Sequence, residues 1–192
     1  MANTPPTLRL TALALIMLTL GACDLPGSHP GDAAVVNGHV VPRSRWDHVV
    51  QVTTQQLENH VHVDLNSDTG RGQVRNLQTQ ALRAVIREQL IEDFARRQNI
   101  VLTDADLDRQ VAQVTESLGG QAALNKRLDQ TSETMADVRH TLRINVLQSR
   151  LRAASSTYDR DFEKALKDAQ VTAYVPPCDG DHTWPQCAGG ER

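Results

Sequence analysis

Apolar residues recur at helical spacing through most of the chain, and at strand spacing only near the two ends of one central region. Ala34-Val35-Val36, Asn37-Gly38 and His39-Val40-Val41 read as short extended runs around a strong hairpin turn signal, either a small hairpin or one strand with a bend. Pro42 and Ser44 open a helix in which Trp46, Val49, Val50, Thr53 and Leu57 share a face. Residues Asn59 to Gly72 mix a short alternation with turn-forming residues and are expected to form a loop. A long helix is expected from about Gln73 to Gln98, with Leu77, Ala81 and Val85 on one line and Leu82, Ile86, Leu90 and Phe94 on the next, ended by Asn99. Thr103 caps the next helix, carrying Leu107, Val111, Val114 and Leu118, and Gly119-Gly120 stops it. A short helix over Gln121 to Leu128 follows. Thr131 or Ser132 then caps a long helix bearing Met135, Val138, Leu142, Val146 and Leu151. Tyr158 to Asp168 forms the last helix and Val171 to Val175 the last strand, which Pro176-Pro177 ends. The fold class is therefore mostly α, with a small sheet formed by the first and last strands of the domain.

The N-terminus follows a different logic. Met1 to Arg9 is polar with one cation, Leu10 to Leu20 carries no charge, and Gly21-Ala22-Cys23 follows at once. This order is that of a signal peptide, and the apolar run is shorter than the roughly 20 residues a membrane span needs. Leu20-Gly21-Ala22-Cys23 resembles the lipobox of bacterial lipoproteins, which implies cleavage before Cys23 and lipidation of its thiol. An ordinary signal peptide with a chance cysteine is the alternative. Asp24 to Asp32 is rich in Pro and Gly and reads as a tether. With Cys23 lipidated, Cys178 and Cys187 are expected to pair as a disulfide, which an extracytoplasmic compartment permits. Closing that short loop is worth roughly 2–3 kcal/mol in the loop-entropy model. A metal site using Cys178, His182 and Cys187 is the alternative, although zinc sites usually show tighter cysteine spacing and a fourth ligand. The organisation expected is a signal peptide over 1–22, a tether over 23–32, a helical domain over 33–175, and a disulfide-bearing tail over 176–192.

Charge and composition narrow the function by exclusion. The chain has 20 Lys+Arg against 23 Asp+Glu, and Arg9 is lost with the signal peptide. This gives no electrostatic case for nucleic acid. His60, His62 and Asp64 lack the spacing of a metal site, so no metal is assigned. Ser155-Ser156 has no base in nucleophile-elbow context, and Gly70-Arg71-Gly72 lacks the strand and the Lys-Ser/Thr of a phosphate loop. The acidic pairs Asp104/Asp106 and Asp159/Asp161 sit at helix starts, where the helix dipole accounts for them. No catalytic residue and no cofactor is assigned, and the chain is read as a non-enzyme.

The ordered set of elements resembles the N-terminal chaperone domain of the SurA/PrsA-type foldases, to which the substrate-binding domain of trigger factor is also similar. The stretches that carry the resemblance are Ala33 to Gly38, Leu82 to Val101, Thr103 to Leu107, Ser117 to Gly120, Val138 to Leu151, and Phe162 to Val175. Foldases of this kind usually carry a parvulin-type prolyl isomerase domain between the last long helix and the returning one. Here only Arg152 to Asp161 separates them, against the roughly 50 residues a domain needs. The resemblance thus implies a chaperone module without the isomerase, anchored in the cell membrane by its lipid and facing the periplasm or exterior. Its expected partners are unfolded secreted polypeptides, held by non-directional apolar contact. Trp46 and Leu57 are the candidate client contacts. Two other readings stand beside this one: an adaptor lipoprotein binding one fixed partner, and a peptidyl-prolyl isomerase relative by family alone.

Overall fold

The structure, a computed structural model, describes residues 30–61 and 64–178. Its elements are β1 (Asp32–Val36), β2 (His39–Pro42), α1 (Arg43–Val61), α2 (Asp68–Arg97), α3 (Asp104–Ser117), α4 (Gln121–Thr131), α5 (Met135–Ala154), α6 (Tyr158–Asp168) and β3 (Val171–Ala173). The three strands form one antiparallel sheet in the order β2-β1-β3. The chain thus closes on itself, its last strand returning beside its first.

The hairpin is the tight form that Asn37-Gly38 favours. Both residues have positive φ, 49° and 82°, as the central pair of a type I′ turn requires. Val36 pairs with His39 across it, and Ala34 with Val41. The core is the meeting of this sheet with the C-terminal half of α2, the C-terminal half of α5, and α6. Leu82, Ile86, Leu90, Phe162 and Leu151 are its largest fully enclosed side chains. Val175 and Cys178 are also fully enclosed, so the core extends past the last strand.

The expected loop over Asn59 to Gly72 is corrected. α1 runs to Val61 and α2 begins at Asp68. Ser67 accepts the Gly70 amide on its side chain, and its own amide and hydroxyl bind the Asp64 carbonyl at 3.1 and 2.6 Å. The segment is glycine-rich because Gly70 must pack there. A Cβ on Gly70 would run into the Asp64 carbonyl and come within 2.6 Å of Leu65 Cα. The cap of α5 is also corrected. Thr134, rather than Thr131 or Ser132, accepts the Asp137 amide while Asp137 returns a bond to the Thr134 amide, a complete capping box. Thr131 remains inside α4, and Ser132 turns left-handed at φ 58°.

The stripe expected on α3 faces inward only at Leu107; Val111, Val114 and Leu118 stay half-buried. α4 buries only Leu124. No helix among the described residues is long and apolar enough to cross a membrane.

Candidate functional site

β2 is an outer strand, and its register decides what it offers. Odd residues of β1 bond toward β3: the Asn37 amide reaches the Gln170 carbonyl at 2.8 Å, and the Tyr174 amide reaches the Ala33 carbonyl at 2.9 Å. Even residues, Val36 and Ala34, therefore bond toward β2 at His39 and Val41. Val40, opposite Val35, turns its amide and carbonyl to the free edge, and its side chain is 52% exposed.

Facing this edge is the exit from α2. Asn99 takes a left-handed turn at φ 53°. Its amide bonds the Arg96 carbonyl at 3.1 Å, and the Ile100 amide bonds the Ala95 carbonyl at 2.8 Å. These two bonds make the Schellman ending that stops the helix and throws the chain outward. Arg150 on α5 then donates to the Val101 carbonyl at 2.6 Å and pairs with Asp106 at 3.1 Å, pinning the connection and the start of α3 together. The pinned backbone presents the Val101 side chain 70% exposed.

Val40 and Val101 are the exposed large hydrophobics of the described residues, and both line one open cavity of about 500 Å³. Its floor is apolar, made by Ala95, Ile100, Leu102 and Leu147. Its rim is polar, and the Arg143–Glu92 pair at 3.0 Å crosses it. A second cavity of about 380 Å³ adjoins the first through His39 and Arg96, and adds Asn37, Asp93 and Arg97. Asp93 is 5% exposed and accepts bonds from Gln89 at 2.9 Å and from Arg96, with His39 Nδ1 3.4 Å away. A buried carboxylate needs such partners, and these fix the tip of the hairpin on α2. Arg97 lies over the Phe94 ring at 4.5 Å and has no carboxylate partner among the described residues.

A separate polar junction fastens α1, α2 and α5. Arg45 forks onto Glu88 at 3.1 Å, and His140 Nε2 stands 2.9 Å from the same carboxylate. His48 Nε2 lies 2.6 Å from Asp137, which also faces Arg45 at 3.7 Å. Burial pushes the Glu88 carboxyl up, but the bonds from His140 and Arg45 outweigh it and hold the group below its ordinary value of 4.5. At Asp137 burial is likewise outweighed, here by Thr134 and His48. Every group at this junction is engaged with its neighbours, which suits fastening. Among the described residues no group of three or more His, Cys, Asp or Glu is placed to hold a metal ion.

The residues singled out in the sequence fall in different places. Trp46, expected at the client surface, is 4% exposed; its ring packs in the core and its Nε1 donates to the Gln78 carbonyl at 3.2 Å. It offers no face to a client. Leu57 is half-buried on the distal part of α1, away from the groove. Cys23 and Cys187 lie outside the described residues, as do His62, His182 and the side chain of His60. Val40 and Val101 were not anticipated. The signal for Val101 was there, in an apolar residue directly after the helix-ending Asn99; that for Val40 depended on knowing which strand lies at the edge.

The architecture is that of a mostly helical module whose small sheet joins its first and last elements, with an apolar groove open beside the outer strand. A SurA-like N-terminal domain model matches residues 7–152, and the chain belongs to that family. The family is of chaperone type, and the domain is not itself catalytic. The match ends before α6 and β3, whose place in the domain is given by the sheet pairing. No curated protein and no solved structure matches the chain.

Proposed function

We propose that the protein is a lipid-anchored, extracytoplasmic chaperone that binds unfolded secreted polypeptides and has no prolyl isomerase activity. The observation that carries this reading is the shared groove of Val40 and Val101. Two large apolar side chains left in water at one place, over an apolar floor and within a polar rim, support a binding surface. Membership of the SurA-like family supports a polypeptide as the ligand. The link between α5 and α6 is only residues 155–157, which supports a module working without the isomerase insertion. Lipidation at Cys23 and a periplasmic or exterior location rest on the lipobox-like Leu20-Gly21-Ala22-Cys23. Pairing of Cys178 with Cys187 is supported by the full burial of Cys178.

The test is light scattering of an unfolded model client with the soluble Cys23→Ser chain. Suppression of aggregation at near-stoichiometric amounts is expected. Absence of suppression by a chain shown folded by circular dichroism overturns the reading in favour of an adaptor with one fixed partner. Incorporation of labelled palmitate into the wild-type chain, but not into Cys23→Ser, is expected for the anchor.

A further inference from the structure

We infer that the groove takes its ligand as an added strand: an extended apolar segment pairs with the outer edge of β2, and a segment carrying an acidic residue is preferred. The inference rests on the chaperone reading above and specifies how and what that site binds.

Three observations carry it. The first is the backbone. The register leaves the amide and carbonyl of Val40 pointing away from β1, and no partner meets them among the described residues. An unpaired strand edge is a template for another extended chain, which gains main-chain bonds whatever its sequence. Pro42 has no amide to offer, so the ladder is short and the two bonds at Val40 are its centre. A short ladder gives weak, reversible capture.

The second is the floor. In a strand lying against β2, alternate side chains point to one face. That face here is the apolar cavity under Val101, Leu102 and Leu147, whose volume of about 500 Å³ accommodates a few aliphatic side chains. The Arg150 bond to the Val101 carbonyl holds this wall in place before any ligand arrives, so little ordering is needed on binding.

The third is charge. Around the two adjoining cavities Glu92 is matched by Arg143 and Asp93 by Arg96. Arg97 is matched by no carboxylate and leaves the groove with one net cation, beside a His39 that is itself half-exposed. A segment with an acidic residue complements this rim; one with a lysine is repelled.

The experiment uses the full Cys23→Ser chain and a fluorescein-labelled Val/Leu/Thr peptide about ten residues long, the upper range of a natural strand. The peptide is prepared with one Asp or one Lys near its end, and binding is read by anisotropy. The Asp peptide is expected to bind roughly threefold more tightly than the Lys peptide, with Arg97→Gln removing the difference. Val40→Pro keeps an apolar side chain but deletes the outward amide, and is expected to weaken both peptides roughly fivefold. Val101→Asp, at a site exposed enough not to threaten folding, is expected to weaken both about tenfold. Circular dichroism of each variant checks the fold. If wild type suppresses client aggregation while Val40→Pro and Val101→Asp bind both peptides as wild type does, strand addition at β2 is overturned and the chaperone reading survives. If wild type neither suppresses aggregation nor binds either peptide, both fail together.

Discussion

Between Ala81 and Ala95, α2 buries eight side chains; between Asp68 and Gln80 it buries only Gly70. The same helix thus belongs to two regions. Its C-terminal half lies in a base made with the sheet, α6 and the end of α5, where apolar packing is continuous from Ala33 to Cys178. Its N-terminal half, the end of α1, and α3 and α4 form arms that bury few apolar side chains, Leu107 and Leu124, while Val52, Leu57, Val74, Leu77 and Val111 stay half-buried. What holds the arms is largely polar: two complete capping boxes at Thr103 and Thr134, the Ser67 cap, and ion pairs such as Arg109–Asp106 and, from α5, Arg150–Asp106. Stability is therefore distributed unevenly along one helix. Packing density in the base sets the global free energy, while elements held by caps and exposed pairs open at lower cost.

The base is most vulnerable at its aromatic centre. Phe162 is 2% exposed, with Phe94 at 5.7 Å and Tyr158 at 5.6 Å between ring centroids. Phe162→Ala is expected to cost ~3–5 kcal/mol in urea unfolding. A loss below about 1 kcal/mol would mean that the base does not carry the fold.

In the arms, Gly70 is the tightest point of contact. Gly70→Ala forces the Asp64–Leu65 backbone away and is expected to cost about 1–3 kcal/mol. Two residues on, Gly72 faces open space apart from the tip of Arg75 at 3.9 Å. Gly72→Ala is expected to stabilise by roughly 0.5–1 kcal/mol through helix propensity alone. The pair, measured by the same unfolding curves, separates close packing from glycine's intrinsic cost; equal effects would overturn the contact at Gly70.

The junction of Arg45, Glu88, His140, His48 and Asp137 joins base to arm and adds a pH dependence. Folding holds both carboxyls below their ordinary values of 4.5 and 3.8. The unfolded state therefore binds protons first, so their contribution is complete above about pH 5 and drains away as pH falls below about 4. Glu88→Gln is expected to lower stability at pH 7 by about 1–2 kcal/mol, a range reduced for partial exposure, and to flatten the acid limb of the stability–pH curve. A variant with the wild-type acid limb would show that Glu88 does not fasten the junction.

The sequence was most legible where the determinant is local. Asn37-Gly38 named the hairpin, Thr103 with Asp106 named the start of α3, and the doubled stripe of α2 named the core face, because each depends on neighbours within one or two turns. The segment from Asn59 to Gly72 reads as a loop because its glycines look helix-breaking, whereas Gly70 answers to the close passage of the Asp64 carbonyl, a steric contact that no apolar periodicity encodes. The place of Trp46 depends on a partner far along the chain. An aromatic on an amphipathic helix near a loop looks the same whether its ring meets solvent or the Gln78 carbonyl. The groove was invisible until strand order showed that β2, not β1, is the edge.

The smallest effect tests the arms themselves. Leu57→Ala, in the half-buried part of α1, is expected to cost only about 0.5–1 kcal/mol, since most of its apolar area never leaves water. Global unfolding barely reports a change of that size, but hydrogen exchange resolves it. Amides of α1 beyond Thr53 and of α2 before Gln80 should exchange faster in the variant, while those of Leu82 to Leu90 keep wild-type protection. If protection falls equally in both halves of α2, the helix unfolds as one unit. The arms would then share the cooperativity of the base, and the division drawn between them would lie in burial alone, with no counterpart in stability.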